Sequence, residues 1–230
     1  MANLRSLPRV FLEGASTDGP IQLPAAEVDK LRKVLRLGAG AEIAVLPNDG
    51  RLIRCEFRAR EAWPIDVSIP DTEPNQVVRL AQALPKGEKL DEIVRSCTPI
   101  GVSEFLLFPG ERTIVQWNAS KMESRLARLK VIARESAELS FRTRLPRFSV
   151  AQDLAEVLRR FPTAIVLSEV EGISPRLQPA ETETTVVVGP EGGWAPRELS
   201  LIGDRGVTLG PRVLRTEHAG AAAAAILLLR

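Results

Sequence analysis

The sequence predicts an α/β protein in two parts. A small barrel-like β domain occupies residues 1–72, and a mainly parallel-sheet α/β domain occupies residues 73–230. Three observations predict this. Short alternating apolar segments crowd the chain before residue 70. A polar, proline-flanked stretch, Pro70-Asp71-Thr72-Glu73-Pro74-Asn75, then breaks the pattern, as inter-domain linkers do. Beyond it, β-branched runs alternate with helical periodicities, the arrangement that yields parallel sheets.

In the first part, Arg9 to Leu12 reads as a strand. Val28, Leu31, Val34 and Leu35 recur at helical spacing, so one amphipathic helix is expected over Glu27 to Leu37. Glu42 to Pro47 and Leu52 to Ala59 read as strands joined at Asn48-Asp49-Gly50, a strong hairpin signal. Ile65 to Ile69 alternates again.

In the second part, Val77 to Leu84 reads as an apolar strand and Glu88 to Cys97 as a helix with Leu90, Ile93, Val94 and Cys97 on one face. Glu104 to Phe108 is a buried strand. Asn118 is placed to cap a long helix through about Ser140, because its short side chain can accept from amides of the first turn. Gln152 to Arg160 is a further helix. Thr163 to Leu167, Thr184 to Val188 and Val207 to Leu209 read as strands. Pro196 suits a first helical position and opens a helix ending near Gly203. A last helix, with an alanine run at Ala221 to Ala225, is expected from Thr216 to Arg230.

Composition excludes several classes. The hydrophobic fraction of 44% excludes a disordered chain. No apolar run approaches the ~20 residues that cross a bilayer. Met1 to Pro8 has no apolar core of a secretory signal, so a cytoplasmic protein is expected. Cys55 and Cys97 form no metal-binding spacing or disulfide framework and read as buried thiols. A single histidine, His218, excludes most zinc sites, and no metal is expected. The net charge of +2 conceals a gradient. Residues 1–70 carry 10 basic and 9 acidic groups, residues 71–150 carry 13 and 10, and residues 151–230 carry 8 and 10. A polyanion would therefore dock on the first two-thirds.

The chemistry points to the ends of three late strands. Gly189-Pro190-Glu191-Gly192-Gly193 follows one, Ser168-Glu169 a second, and Leu209-Gly210 a third. In an open parallel sheet, ligands bind beyond the carboxyl ends of the strands. A glycine-rich turn there brings backbone donors and acceptors close to a flat polar group such as adenine. The glycines come late, and neither the dinucleotide fingerprint nor a P-loop is present. Pro85-Lys86-Gly87-Glu88-Lys89-Leu90 lacks the latter's leading glycine and its Lys-Ser/Thr pair.

The pair of segments Val188-Gly189-Pro190-Glu191-Gly192-Gly193-Trp194 and Leu209-Gly210-Pro211-Arg212-Val213-Leu214-Arg215-Thr216-Glu217-His218-Ala219 resembles the signature of the RsmE family. Those are S-adenosylmethionine-dependent 16S ribosomal RNA uridine-N3 methyltransferases of the SPOUT superfamily. Leu7 to Phe11 and Lys33 to Leu37 resemble the family's PUA-like RNA-binding domain, and Glu111-Arg112 and Glu135 to Arg142 its middle segment. The resemblance implies a SPOUT parallel sheet with a C-terminal trefoil knot, rare by general chain-threading rules. It also implies a homodimer whose partner helps complete the active site. The cofactor role falls on Leu167, Ser168, Glu169, Gly189, Glu191, Gly192, Gly193, Leu209, Gly210, Val213, Leu214 and Arg215.

Uridine N3 must lose a proton to accept a methyl group, so a base or a cation beside the developing anion would help. Arg215 ranks first, with Arg112 as a second cation and Glu217 or His218 as proton acceptors. The RNA candidates are Arg9, Arg32, Lys33 and Arg36, then Arg142, Arg144 and Arg147, the last three flanked by Phe141 and Phe148. Ser96 to Pro99 departs from the family pattern. That departure keeps a second class open, a non-catalytic RNA-binding protein on the same fold.

Overall fold

A computed structural model describes residues 6–113, 117–168, 175–179 and 183–229. The chain divides into two compact units, Met1–Glu73 with Ala137–Leu145, and Pro74–Ser136 with Pro146–Arg230.

The first unit is a five-stranded sheet of β1 (Arg9–Phe11), β2 (Ile21–Gln22), β3 (Glu42–Leu46), β4 (Leu52–Arg58) and β5 (Glu61–Ser68), in the order β1-β3-β4-β5-β2. The β1–β3 pair is parallel and the others are antiparallel. This half-barrel fits a PUA-like domain. The β3–β4 turn forms at Asn48 and Gly50, both at positive φ (70° and 100°). One face of the sheet buries Val10, Ile43, Val45, Ile53 and Phe57, the other Phe11, Ala44, Leu46 and Leu52.

The helix α1 (Ala25–Asp29) is shorter than its apolar spacing predicts and continues as a π-helical turn over Lys30–Val34. The Leu35 amide donates to Lys30 O, five residues back, at 3.0 Å. That wider turn advances the side chains out of the 3.6-residue period. Leu31 stays buried while Val34 and Leu35 face solvent.

Residues 137–145, assigned to the second domain by sequence, belong with this unit. One carboxylate, Glu73, holds them. It accepts from Arg142 Nη2 at 2.8 Å, from the Thr143 amide at 2.7 Å and from the Arg144 amide at 3.1 Å. Asn48 Oδ1 accepts from the Leu145 amide at 2.7 Å, and Lys30 pairs with Glu138 at 2.7 Å. A contact between a linker residue and a segment some seventy positions later has no local sequence signal.

The second unit is a six-stranded sheet of β6 (Val78–Ala83), β7 (Glu104–Phe108), β8 (Arg147–Val150), β9 (Ile165–Leu167), β10 (Thr184–Val188) and β11 (Gly206–Val207). Its order is β11-β9-β10-β6-β7-β8, and every pair is parallel. Alternate residues enter two cores. Leu80, Phe105, Leu107 and Val186 pack with α2 (Lys89–Ile100), α3 (Ala119–Leu139) and α6 (Thr216–Leu228). Ala81, Leu106, Phe108 and Val187 pack with α4 (Leu154–Arg160) and α5 (Pro196–Ile202). Burial on both faces explains the unbroken apolar runs of β7 and β10. Asn118 Oδ1 accepts from the Lys121 amide at 2.9 Å and starts α3; Asp153 does the same for α4 through the Glu156 amide at 2.8 Å. Strand β8 is not evident in the sequence. Its Phe148 stacks on Phe105 with ring centroids 5.2 Å apart, so this aromatic packs internally instead of facing a base.

Candidate active site

Strands β11, β9 and β10 lie side by side, and their carboxyl ends release three loops at one edge of the sheet. Those loops enclose a cavity of about 670 Å³. Leu167 ends β9 and Ser168 follows it, Gly189 to Trp194 follow β10, and Thr208 to Arg215 follow β11. The backbone knits them together. The Ser168 amide donates to Val207 O at 3.0 Å, and Thr208 exchanges bonds with Pro175 O and the Leu177 amide at 2.9 and 2.8 Å.

Trp194 is the buried wall of the cavity. Its ring stacks on Phe108 at 6.5 Å and 5°, and its Nε1 donates to Leu167 O at 3.0 Å. Gly189 lets the loop pack close to the ring, since a Cβ there would sit 3.0 Å from the indole. The Gly193 amide closes the turn on Pro190 O at 2.9 Å with φ of 67°, a conformation that glycine adopts at little cost.

Side chains from five other segments brace the glycine loop, directly or through a partner. Thr216 Oγ1, at the head of α6, donates to Gly189 O at 2.7 Å, and Gln82 Nε2 from β6 donates to that hydroxyl at 3.3 Å. Arg112 Nη1 donates to Gly192 O at 2.9 Å. The buried Glu198 carboxylate accepts from the Ala195 and Glu111 amides at 2.8 and 3.0 Å, capping α5 and fixing the segment that carries Arg112. Lys89 Nζ stands 3.1 Å from Glu191 Oε1 and 3.2 Å from Glu217 Oε2. Its pairing with these carboxylates, Glu191 first, raises the lysine's pKa. Burial of Glu191 works against ionisation. Its own amide, the Lys86 amide and the Lys89 ammonium outweigh that and hold it below the usual carboxylate range. Glu217 is held low first by its own amide at the helix start, then by Lys89.

The RNA methyltransferase domain family matches residues 72–228. The ribosomal RNA small subunit methyltransferase E of Mycobacterium bovis is 31% identical over 231 residues, covering 91% of this chain and 84% of its own. The chain belongs to the ribosomal RNA small subunit methyltransferase E family. The Bacillus subtilis member is 30% identical over 213 residues, with 84% and 83% covered. A solved member from Neisseria gonorrhoeae, bound to S-adenosyl methionine, is 26% identical, with 95% of each chain covered and a TM-score of 0.85. The α/β fold of this chain is therefore the fold of RsmE and SPOUT methyltransferases.

Of the residues to which the RsmE resemblance assigns the cofactor, Leu167, Ser168, Gly189, Glu191, Gly193, Leu209, Val213, Leu214 and Arg215 line the one cavity, and Arg112 joins them. Gly192 and Gly210 lie in the loops but not on the lining. Glu169 falls outside the described residues. Glu217 is 7% exposed and faces Lys89 from behind the cavity wall, so it is engaged in an ion pair instead of standing ready as a base. Sequence reasoning missed Lys89 and Thr216. A lone lysine opening an amphipathic helix and a threonine within a helix cap carry no distinguishing pattern. The departures at Ser96 and Pro99 lie within the last turns of α2 and do not line the cavity. Among the described residues, no group of three or more His, Cys, Asp and Glu could hold a metal ion, and no helix is long and apolar enough to cross a membrane.

Two of the RNA candidates need correction. Arg9 is buried, donates to Leu7 O at 3.0 Å and lies 4.3 Å over the Phe141 ring; burial pushes its pKa down. Arg142 is 4% exposed and spent on Glu73. Neither presents a guanidinium to solvent. Arg32, Lys33, Arg36 and Arg144 are exposed on the first unit, with Lys33 paired to Asp29 at 3.0 Å. Arg147 is exposed on the second, 3.5 Å from Glu104.

Proposed function

We propose that this protein transfers a methyl group from S-adenosylmethionine to N3 of a uridine in the 16S ribosomal RNA of the small subunit. One observation carries this: three loops from adjacent strand ends, two of them glycine-bearing, converge on a single cavity. The cavity's size suits a nucleoside-sized ligand. Its lining alternates apolar side chains (Leu167, Val188, Leu209, Leu214) with backbone from the glycine loop, which matches an adenosine that needs both stacking surface and main-chain partners. S-adenosylmethionine, when bound, supplies a methyl group activated on a positively charged sulfur.

The chain's own residues align the reactants and stabilise charge. Leu167 and Ser168, Gly189 to Gly193 and Leu209 to Arg215 would hold the cofactor. Arg112 uses one N–H on Gly192 O, and its other guanidinium donors remain available for a uracil that has lost its N3 proton. Arg215, 81% exposed at the cavity mouth, is the second such cation. Glu217, ionised and paired with Lys89, is a poor proton acceptor, so the N3 proton passes to solvent water and the arginines stabilise the uracil anion that remains.

The same reading takes the main-chain links of residues 175–177 to Thr208 as part of a trefoil knot. It takes the exposed Val213 as a surface that a second copy of the chain covers. Arg32, Lys33, Arg36, Arg144 and Arg147 supply contacts to RNA phosphates. The test is mass spectrometry of 16S nucleosides from a strain lacking the protein, before and after treating its small subunits with protein and S-adenosylmethionine. Loss of N3-methyluridine, restored by the treatment, is expected. An unchanged nucleoside profile refutes the assignment.

A further inference from the structure

Three separate elements of the site meet at one ammonium. Lys89 opens α2, Glu191 sits in the glycine loop after β10, and Glu217 stands in the first turn of α6. Both carboxylates lie within 3.2 Å of the same nitrogen, so they are close neighbours of each other. Glu217 is nearly buried, and Glu191 also anchors the α2 entrance by accepting from the Lys86 amide at 3.1 Å. Other charges around the cluster are weaker or further off. Arg215 Nη1 is 4.0 Å from Glu217 Oε1, and the exposed His218, whose Nδ1 lies 4.0 Å from Glu92 Oε1 on α2, also acts on Glu217 through space.

We propose that Lys89 is a positioning residue for the methyl-donor site, a cationic clasp that holds the glycine loop against the head of α6. Two carboxylates that share one ammonium repel each other, and the cation between them offsets that repulsion. Without Lys89, repulsion drives Glu191 and its loop outward, and the cavity wall between Gly189 and Trp194 opens. A proton can substitute for the missing ammonium. Removing Lys89 also removes one of the causes that keep both carboxylates acidic, so protonation becomes easier for each as pH falls. The clasp thus turns a pH-insensitive site into an acid-rescued one when it is lost.

This inference rests on the cavity being the cofactor site, and two readouts separate the claims. The first is calorimetric binding of S-adenosylmethionine at pH 8.0 and 5.5 by wild type, Lys89→Met and the double variant Lys89→Met/Glu217→Gln. Lys89→Met should bind about tenfold more weakly at pH 8.0, the scale of one lost charged contact, and regain most of that at pH 5.5. The double variant, lacking the repulsion, should bind near wild-type strength at both. The second readout is amide hydrogen exchange over residues 189–194 without ligand, where Lys89→Met should lose protection at pH 8.0 and the double variant should keep it. Wild type that binds no S-adenosylmethionine would overturn the cofactor reading alone, leaving exchange to judge the clasp. Lys89→Met with wild-type affinity and exchange at pH 8.0, or a double variant no better than the single, would overturn the clasp.

Discussion

The indole N–H of Trp194 donates to the main-chain oxygen of Leu167 at 3.0 Å, joining the loop after β10 to the end of β9. One side chain thus sets the spacing of two of the three cavity walls, while its ring is fixed from behind by Phe108. Trp194→Phe keeps the stack and removes the donor. A partly buried carbonyl then lacks its partner, at a cost of about 1–2 kcal/mol. Calorimetry should show S-adenosylmethionine affinity falling by about tenfold, with the far-ultraviolet spectrum unchanged; equal affinity would mean the bond does not shape the site.

Gly189→Ala places a Cβ 3.0 Å from the same indole, tighter than nine in ten Cβ contacts. The ring is held on both sides, so the glycine loop must move. Overpacking of this kind costs about 1–3 kcal/mol. Both the melting temperature and cofactor affinity should fall. A variant that binds as wild type does would show that the loop has slack.

Glu73→Ala probes the first unit alone. The substitution removes the carboxylate that receives Arg142, itself 4% exposed, together with two backbone amides. Breaking a buried charged pair costs about 3–5 kcal/mol. Denaturant unfolding should show a loss of that size in the transition of the first unit. A shift below about 1 kcal/mol would mean that Glu73 is only a surface partner.

The arrangement of charges also sets a pH window. Glu191 and Glu217 have lowered pKa values, so their contribution is present above the ordinary carboxylate value of 4.5 and is lost as pH falls through the lower native values. Lys89 has a raised value, so its contribution is complete below 10.5 and is lost as pH rises through the higher native value. Protection of the 189–194 amides, corrected for intrinsic exchange, should therefore be level from pH 6 to 9 and fall in acid. A step within that neutral window would contradict the assignment of charges.

Cys55 and Cys97 are buried thiols pushed up to about 12 by desolvation. At pH 8 roughly one in ten thousand would be thiolate. Ellman's reagent should leave both untouched in the native protein and titrate two thiols after denaturation. Fast native labelling would show that one of them is exposed.

Sequence made some of this architecture readable and left some hidden, for physical reasons. The strands Glu104–Phe108 and Thr184–Val188 stand where their apolar runs place them, because a strand buried on both faces is built mostly of apolar residues. Strand β8 hides behind Arg147 and Phe148, since an edge strand is only half buried and its composition resembles a basic surface loop. The cavity loops were legible through their glycines. Lys89 and Gln82 were not, because each acts on residues about a hundred positions or more away. Arg9 and Arg142 mislead for a related reason. A guanidinium turned inward onto Phe141 or Glu73 has the same sequence signature as one turned toward RNA.

Calorimetric titration of S-adenosylmethionine into the wild-type protein tests the central claim most directly. Saturable binding that weakens together in Trp194→Phe and Gly189→Ala, both folded, is the predicted result. No heat at millimolar ligand, or binding indifferent to both substitutions, would contradict the placement of the methyl donor between these loops.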